Sequence, residues 1–235
     1  MERVGQISSI HRYPVKSMGG ERLESTGLTH HGIPGDRWHA FVQAETKDSF
    51  PWLTARQAGQ MLLYSAKFLT EGGPHVEVVT PDGKTRAGDS PELLDELETL
   101  AGMPIHRLTH YQGSFDVAPA SLMAHSTAAA IAAASDTPED RFRFRMNFYI
   151  DTGSEVPFPE NDWVGKVIRI GDAARVAVTE PDKRCVMINL EHQSSGASSR
   201  VLKAAGELND AYAGVYAAVI TMGEVHEGDE VWLED

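Results

Sequence analysis

The C-terminal third of the chain is cut into short apolar runs by closely spaced turns, and this limits the fold more than anything else in the sequence. Residues 164–170, 175–179, 185–190, 215–221 and 230–233 each read as a strand. Turns between them fall at Gly171 and Asp172, at Met222 and Gly223, and across Glu227, Gly228 and Asp229. Only a helix over residues 198–208 interrupts the series. No run is long enough to bury an apolar face alone, so the strands must close on one another as a barrel or folded sheet. The expected class is mainly β (α+β), with a few short helices.

The first half follows the same logic. Residues 4–13 read as a strand ended by Pro14 and the Gly19 and Gly20 turn, and residues 38–42 as another. Pro81, Asp82 and Gly83 join residues 76–80 and 84–87 in a hairpin. Thr54 and Gln57 have capping-box spacing ahead of a short helix toward residues 61–63. Ser90 as N-cap, Pro91 at the first helical position and Gly102 past the end bound a helix with a stripe of Leu93, Leu94, Leu97 and Leu100. Residues 105–108 read as a strand bridging the two halves, and Ser126 as the N-cap of an alanine-rich helix. The clearest alternation runs over residues 142–150: Phe142, Phe144, Met146, Phe148 and Ile150 on one face, polar residues on the other. Arg145 and Asn147 then share a face one pleat apart, which is either a ligand grip or the wet side of an edge strand.

Charge and cysteine content narrow the function. The formal net charge of −13 argues against a nucleic-acid binder, which needs a basic surface. Basic residues nevertheless cluster at Arg12 and Lys16, at Arg37, at Arg141, Arg143 and Arg145, and at Lys183 and Arg184, which permits a small multiply charged anion as ligand. No apolar run reaches the roughly 18–20 residues of a membrane span, and the N-terminus has no signal-peptide h-region. A single cysteine excludes a disulfide framework and a thiolate zinc site; the expected setting is reducing and cytoplasmic. Phosphate-binding, dinucleotide-binding, HExxH and GxSxG signatures are missing, and His106 and His110 have ligand spacing but lie in a strand-like segment.

Five segments in order carry a resemblance: YPVKS at 13–17 with Gly19 and Gly20, GDRW at 35–38, HST at 125–127, RFRMN at 143–147 and TEPDKRC at 179–185. DWVG at 162–165, RIG at 169–171 and GDEV at 228–231 accompany them. The ordered set resembles the MOSC family, the family of the molybdenum-cofactor sulfurase C-terminal domain and the amidoxime-reducing component. The resemblance implies two closely packed β-barrel-like domains, an N-terminal one over residues 1–115 and a MOSC domain over residues 116–235. It implies a molybdenum cofactor (Mo-molybdopterin) between them, and no pyridoxal phosphate.

On that resemblance Cys185 ligates the metal as a soft thiolate donor, with Lys183 and Arg184 beside it to favour the thiolate. Lys16, Ser17 and Arg37 hold the cofactor phosphate, Ser126 and Thr127 add donors at a helix N-terminus, and Arg145 and Asn147 contact the cofactor. Two positions depart from the family: Met146 stands where Pro is common, and Lys183 where the amidoxime-reducing members have a small hydroxyl residue. The implied activity is a molybdenum-dependent oxidoreductase reducing N-hydroxylated or N-oxide-type small molecules. With no further cysteines for an iron–sulfur centre, electrons come from a separate iron–sulfur, flavin or haem reductase. The alternative is a molybdenum-cofactor or sulfur carrier using Cys185 as a persulfide or ligand site. Neither a nucleic acid nor a membrane is expected as a partner.

Overall fold

A computed structural model of the chain describes residues 1–47, 50–70, 73–191, 194 and 196–234. Its first half contains β1 (Glu2–Arg12), β2 (Glu21–Leu23), β3 (Ser25–Leu28), β4 (His39–Gln43), β5 (Ser65–Phe68), β6 (Val76–Val79), β7 (Thr85–Ala87), α1 (Pro91–Ala101) and β8 (Ile105–Thr109). The second contains β9 (Ala120–Ala124), α2 (His125–Ser135), β10 (Phe148–Asp151), β11 (Val167–Ile170), β12 (Ala174–Lys183), α3 (Arg200–Asn209), β13 (Tyr212–Thr221), β14 (Gly223–His226) and β15 (Glu230–Glu234). The fold is mainly β, as the turn spacing predicts.

Seven strands close into a barrel in the order β10, β9, β13, β12, β11, β15, β1, with β1 returning to β10. Only β9 and β10 run parallel, because α2 crosses over between them. Inward side chains such as Ile7, Ile10, Leu122, Phe148, Ile168, Val176 and Val215 fill the interior. Each contributes roughly 1.5–3 kcal/mol by leaving water. The two halves of the sequence interleave: β1 supplies a barrel wall from the far end of the chain, and β3 pairs with β14.

The rest of the first half packs round its own core. β5, β6 and β7 form a three-stranded sheet, β4 pairs with β8, and Leu93 and Leu97 of α1 lie against Met61, Val78 and Ile105. The ends of α1 are those the sequence specifies. Ser90 Oγ accepts from the Leu93 N–H at 3.3 Å, worth about 1 kcal/mol, and Gly102 takes the left-handed C-cap at φ 67°. α2 and α3 cover one side of the barrel through a third core containing Ile131, Val201, Ala204 and Tyr149.

Four sequence expectations fail locally. Residues 105–108 do not bridge the halves, since β8 pairs with β4 alone among the described strands. Ser126 is not a cap: Ala124 is, and α2 begins at His125. Residues 185–190 form a 3-10 turn, Val186–Asn189, after β12 has ended. The long strand over residues 142–150 begins only at Phe148. Before it, Asp140 Oδ1 accepts from the Phe142 N–H at 3.1 Å and starts a 3-10 turn, Arg141–Phe144, and Arg145 at φ 56° ends that turn. Alternation persisted without a strand because Phe144 and Met146 fill the core under α2 and α3, while Phe148 and Ile150 fill the barrel. Arg145 and Asn147 therefore share no strand face.

Candidate functional site

Segments from both halves of the chain meet round one solvent-open cavity of about 140 Å³. The turn after β1 brings Lys16 and Ser17, the loop before β4 brings Arg37, and the capping-box turn brings Thr54 and Arg56. The turn before β10 brings Arg143, Arg145 and Asn147; the end of β12 and the residues after it bring Asp182, Lys183, Arg184 and Cys185; β13 brings Tyr216. Among the described residues, Lys16, Arg37, Arg56, Arg143, Arg145, Lys183 and Arg184 line it against only Asp116 and Asp182. In a chain of net charge −13 the basic residues outnumber the acidic ones here, which suits an anionic ligand.

Backbone strain concentrates at the same place. Ser17, Arg37 and Arg145 all have left-handed backbones, at φ 67°, 52° and 56°. Such a conformation costs a non-glycine residue about 1–2 kcal/mol and persists only where its surroundings enforce it. At Arg37 they do so through its N–H, which donates to Tyr13 O at 2.7 Å, and at Arg145 through an N–H donating to Phe142 O at 3.0 Å. The two guanidinium groups then face the Tyr13 ring, Cζ to centroid 4.7 and 4.3 Å. Burial pushes the Tyr13 phenol up to about 12 against the pull of Arg145 and Arg37, so the ring stays neutral between two cations.

Asp36, completely buried, holds this arrangement together. Its Oδ1 accepts from the Tyr13 N–H at 2.8 Å, and its Oδ2 from Asn147 Nδ2 at 2.9 Å and from Arg37 Nη1. Arg37 Nη2 donates to Arg145 O at 2.8 Å, and Arg145 Nη1 to Met18 O at 2.7 Å, so the halves are cross-laced. Asn147 has both amide hydrogens engaged, on Asp36 and on His11 O at 3.2 Å, and its Oδ1 accepts from Ser121 Oγ at 2.9 Å. It is a positioning residue with little left for a ligand. Arg145 is different. Among the described residues its Nη2 is buried without a partner, and burial pulls the guanidinium down to about 10 against the favourable pull of Tyr13.

Lys16 donates to Ser114 O at 2.7 Å and Asp116 Oδ1 at 2.6 Å, and burial lowers its proton affinity despite Asp116. Arg184 donates to Ala213 O at 2.7 Å and Phe144 O at 2.9 Å, and pairs with Asp182 at 3.0 Å. Burial raises the Asp182 carboxyl against the pull of Arg184 and its hydrogen bond with Tyr216. Cys185 is exposed. The Lys183 ammonium is directed to Asp210 O at 2.8 Å and lies 4.4 Å from the Tyr212 ring centre.

Eight of the ten residues the sequence singles out thus line the cavity; Ser126 and Thr127 do not. The N-terminus of α2 is already met by a buried carboxyl from within the chain. Glu160 Oε2 accepts from Thr127 Oγ1 at 2.9 Å, and Oε1 from the Gly214 N–H at 3.1 Å. The sequence does not by itself nominate Asp36, Thr54, Arg56, Ser121, Asp182 or Tyr216 for the site. Asp36 lies in GDRW, Asp182 in TEPDKRC and Arg56 inside the capping box; Ser121 and Tyr216 carry no local signal. Among the described residues no cluster of three or more His, Cys, Asp or Glu forms a cation site. No helix among them is long and apolar enough to cross a membrane.

Comparison with known proteins agrees with the fold. No curated protein sequence matches the chain. Among solved structures, the YuaD protein of Bacillus subtilis superposes with a TM-score of 0.53 at 13% identity, over 97% of this chain and 94% of that one, which speaks to the fold alone. YiiM of Geobacillus stearothermophilus aligns with a TM-score of 0.41 at 18% identity, over 50% of this chain and 55% of that one. The MOSC N-terminal β-barrel domain model matches residues 4–98, and the MOSC domain model matches residues 110–232, more than half of the chain. The chain belongs to the MOSC family, with a MOSC domain preceded by its N-terminal β-barrel partner.

Proposed function

We propose that this protein is a molybdenum-cofactor-binding oxidoreductase that reduces N-hydroxylated or N-oxide-type small molecules in a reducing, cytoplasmic setting, with electrons from a separate reductase. The observation that carries this reading is the convergence of Lys16, Ser17, Arg37, Arg145, Arg184 and Cys185 on one cationic cavity. The residues suit such a group. Net positive lining answers its phosphate, the orphaned buried Nη2 of Arg145 wants an acceptor, and an exposed thiol offers a soft metal ligand.

Lys16, Ser17 and Arg37 would hold the phosphate, Arg145 and Arg184 the pterin side, and Cys185 the metal. When bound, the cofactor supplies the two-electron redox chemistry that breaks an N–O bond. The protein's part is to hold the surroundings still. Asp36 and Asn147 fix the Arg37 and Arg145 pair, and Arg184 is anchored by two carbonyls and Asp182. Removal of oxygen as water also consumes two protons. Tyr216, hydrogen-bonded to Asp182 in the cavity wall, keeps a protic hydroxyl there, because burial raises its proton affinity.

Elemental analysis of protein from a cofactor-competent host, with turnover of a hydroxylamine or amidoxime on supplied reductant, tests the reading. Stoichiometric molybdenum and turnover are expected, with metal lost in Cys185→Ala. Protein without molybdenum, or unchanged content in that variant, overturns it. The exposure of Cys185 favours one second reading, a carrier that passes on cofactor or persulfide sulfur. Exchangeable cofactor without turnover would select it.

A further inference from the structure

The cations of the cavity are not equivalent, and their pairing separates them. Lys16 is matched by Asp116, Arg37 by Asp36, Arg143 by Asp140 at 3.8 Å and Arg184 by Asp182. Arg145 is partly buried with one donor on Met18 O, and Lys183 is directed to Asp210 O. Arg56 stands apart, with an exposed side chain and, among the described residues, no partner for either terminal nitrogen.

Its orientation is nevertheless built. Thr54 Oγ1 donates to Gln57 Oε1 at 2.7 Å and accepts the Arg56 N–H at 3.3 Å, which fixes the turn. Arg56 Nε reaches the same hydroxyl at 3.4 Å, and the guanidinium lies 4.3 Å from the Phe50 ring centre. A stacked guanidinium with a free outer fork matches the two oxygens of a carboxylate, and little rotamer freedom remains to be lost on binding. We infer that Arg56 is a docking point for an oxyanion on the substrate, so that the N-hydroxylated compounds taken by this cavity carry a carboxylate. The inference rests on the oxidoreductase reading for its substrate class, while the oxyanion contact itself is independent of turnover.

Calorimetric titration of the molybdenum-loaded protein with benzamidoxime and with 4-carboxybenzamidoxime tests it. The carboxylate compound should bind about tenfold more tightly, and the advantage should shrink with added salt. R56Q should bring the ratio of the two dissociation constants toward one, and R56K should retain part of the preference. Equal binding of both compounds by the wild type, or a preference that survives R56Q, overturns the inference. Loss of molybdenum from R56Q also overturns it, because Arg56 would then be holding the cofactor's own phosphate. Thermal unfolding of R56Q checks the fold, and R56K with the paired ligands decides the question should R56Q fail to fold. Turnover of neither compound, with the binding preference intact, overturns the oxidoreductase reading and leaves the oxyanion contact standing.

Discussion

Glu160 is the buried carboxyl against which the start of α2 is built, and Glu160→Gln isolates the consequence of burying it. The side chain is completely buried, accepting from Thr127 Oγ1 and the Gly214 N–H. Burial pushes it up from 4.5 to about 7, although hydrogen bonds from its own backbone, Thr127, Gly214 and Ala124 favour the ionised form. The sign follows from linkage. Between about pH 4.5 and 7 the folded protein keeps a proton that the unfolded chain has released, so stability falls as pH rises through that window. A rise from 4.5 to about 7 corresponds to roughly 3 kcal/mol in all, of which about 2 kcal/mol falls between about pH 5 and pH 7. Glutamine cannot titrate, and any fixed change in hydrogen bonding shifts its curve by a constant. Urea unfolding of both proteins across this range gives the difference directly. Wild type should lose about 2 kcal/mol relative to Glu160→Gln from about pH 5 to 7. A difference that does not change with pH would refute the assignment of a raised carboxyl at this position.

Three further perturbations probe the frame of the cavity. Gly35 has φ +89°, and a Cβ there would overlap the Phe68 ring and press on Arg12 Cδ at 3.2 Å, so Gly35→Ala should cost about 2–4 kcal/mol in urea unfolding. Asn147→Ala removes three buried hydrogen bonds and leaves Asp36 and Ser121 short of partners. A loss of about 3 kcal/mol is expected by the same assay, and near-wild-type stability would show that the lacing is not structural. Burial, reinforced by Arg107, pushes His39 down to about 4. The unfolded chain therefore takes up this proton first, stability is lost as pH falls from about 6.5 toward 4, and His39→Gln should lack that slope; NMR titration should find His39 neutral at about pH 5.

What could be read from the sequence divides along a physical line. Caps and turns are local: Ser90, Pro91 and Gly102 set the limits of α1 with groups inside the segment itself. Apolar spacing is also local, but it reports burial rather than backbone. Phe144 and Met146 are buried without a strand because the segment between Asp140 and Arg145 turns under α2 and α3, and period two cannot distinguish that from a pleat. The closing of the barrel by β1 depends on pairing between residues 6–10 and 148–151, which no window along the chain contains.

The site follows the same division, with one instructive exception. The ordered motifs nominate Lys16, Ser17, Arg37 and Arg145 through the family resemblance, and the fold brings all four to one cavity. A helix N-terminus is different, because its free donors can be met by an acceptor from anywhere in the chain. In α2 that acceptor is the Glu160 carboxyl, 33 residues beyond Thr127, and nothing near HST at 125–127 announces it. Thr127 thus bonds to a carboxyl of the chain itself, and neither it nor Ser126 lines the cavity. The converse holds for Asp36: it sat in plain view in GDRW, yet its part, holding Tyr13, Arg37 and Asn147 at once, exists only after residues 13 and 147 have been brought together. Residues that touch a ligand can be nominated one at a time, whereas those that hold the ligand's neighbours still are defined by contacts between distant segments, and only the folded chain supplies those.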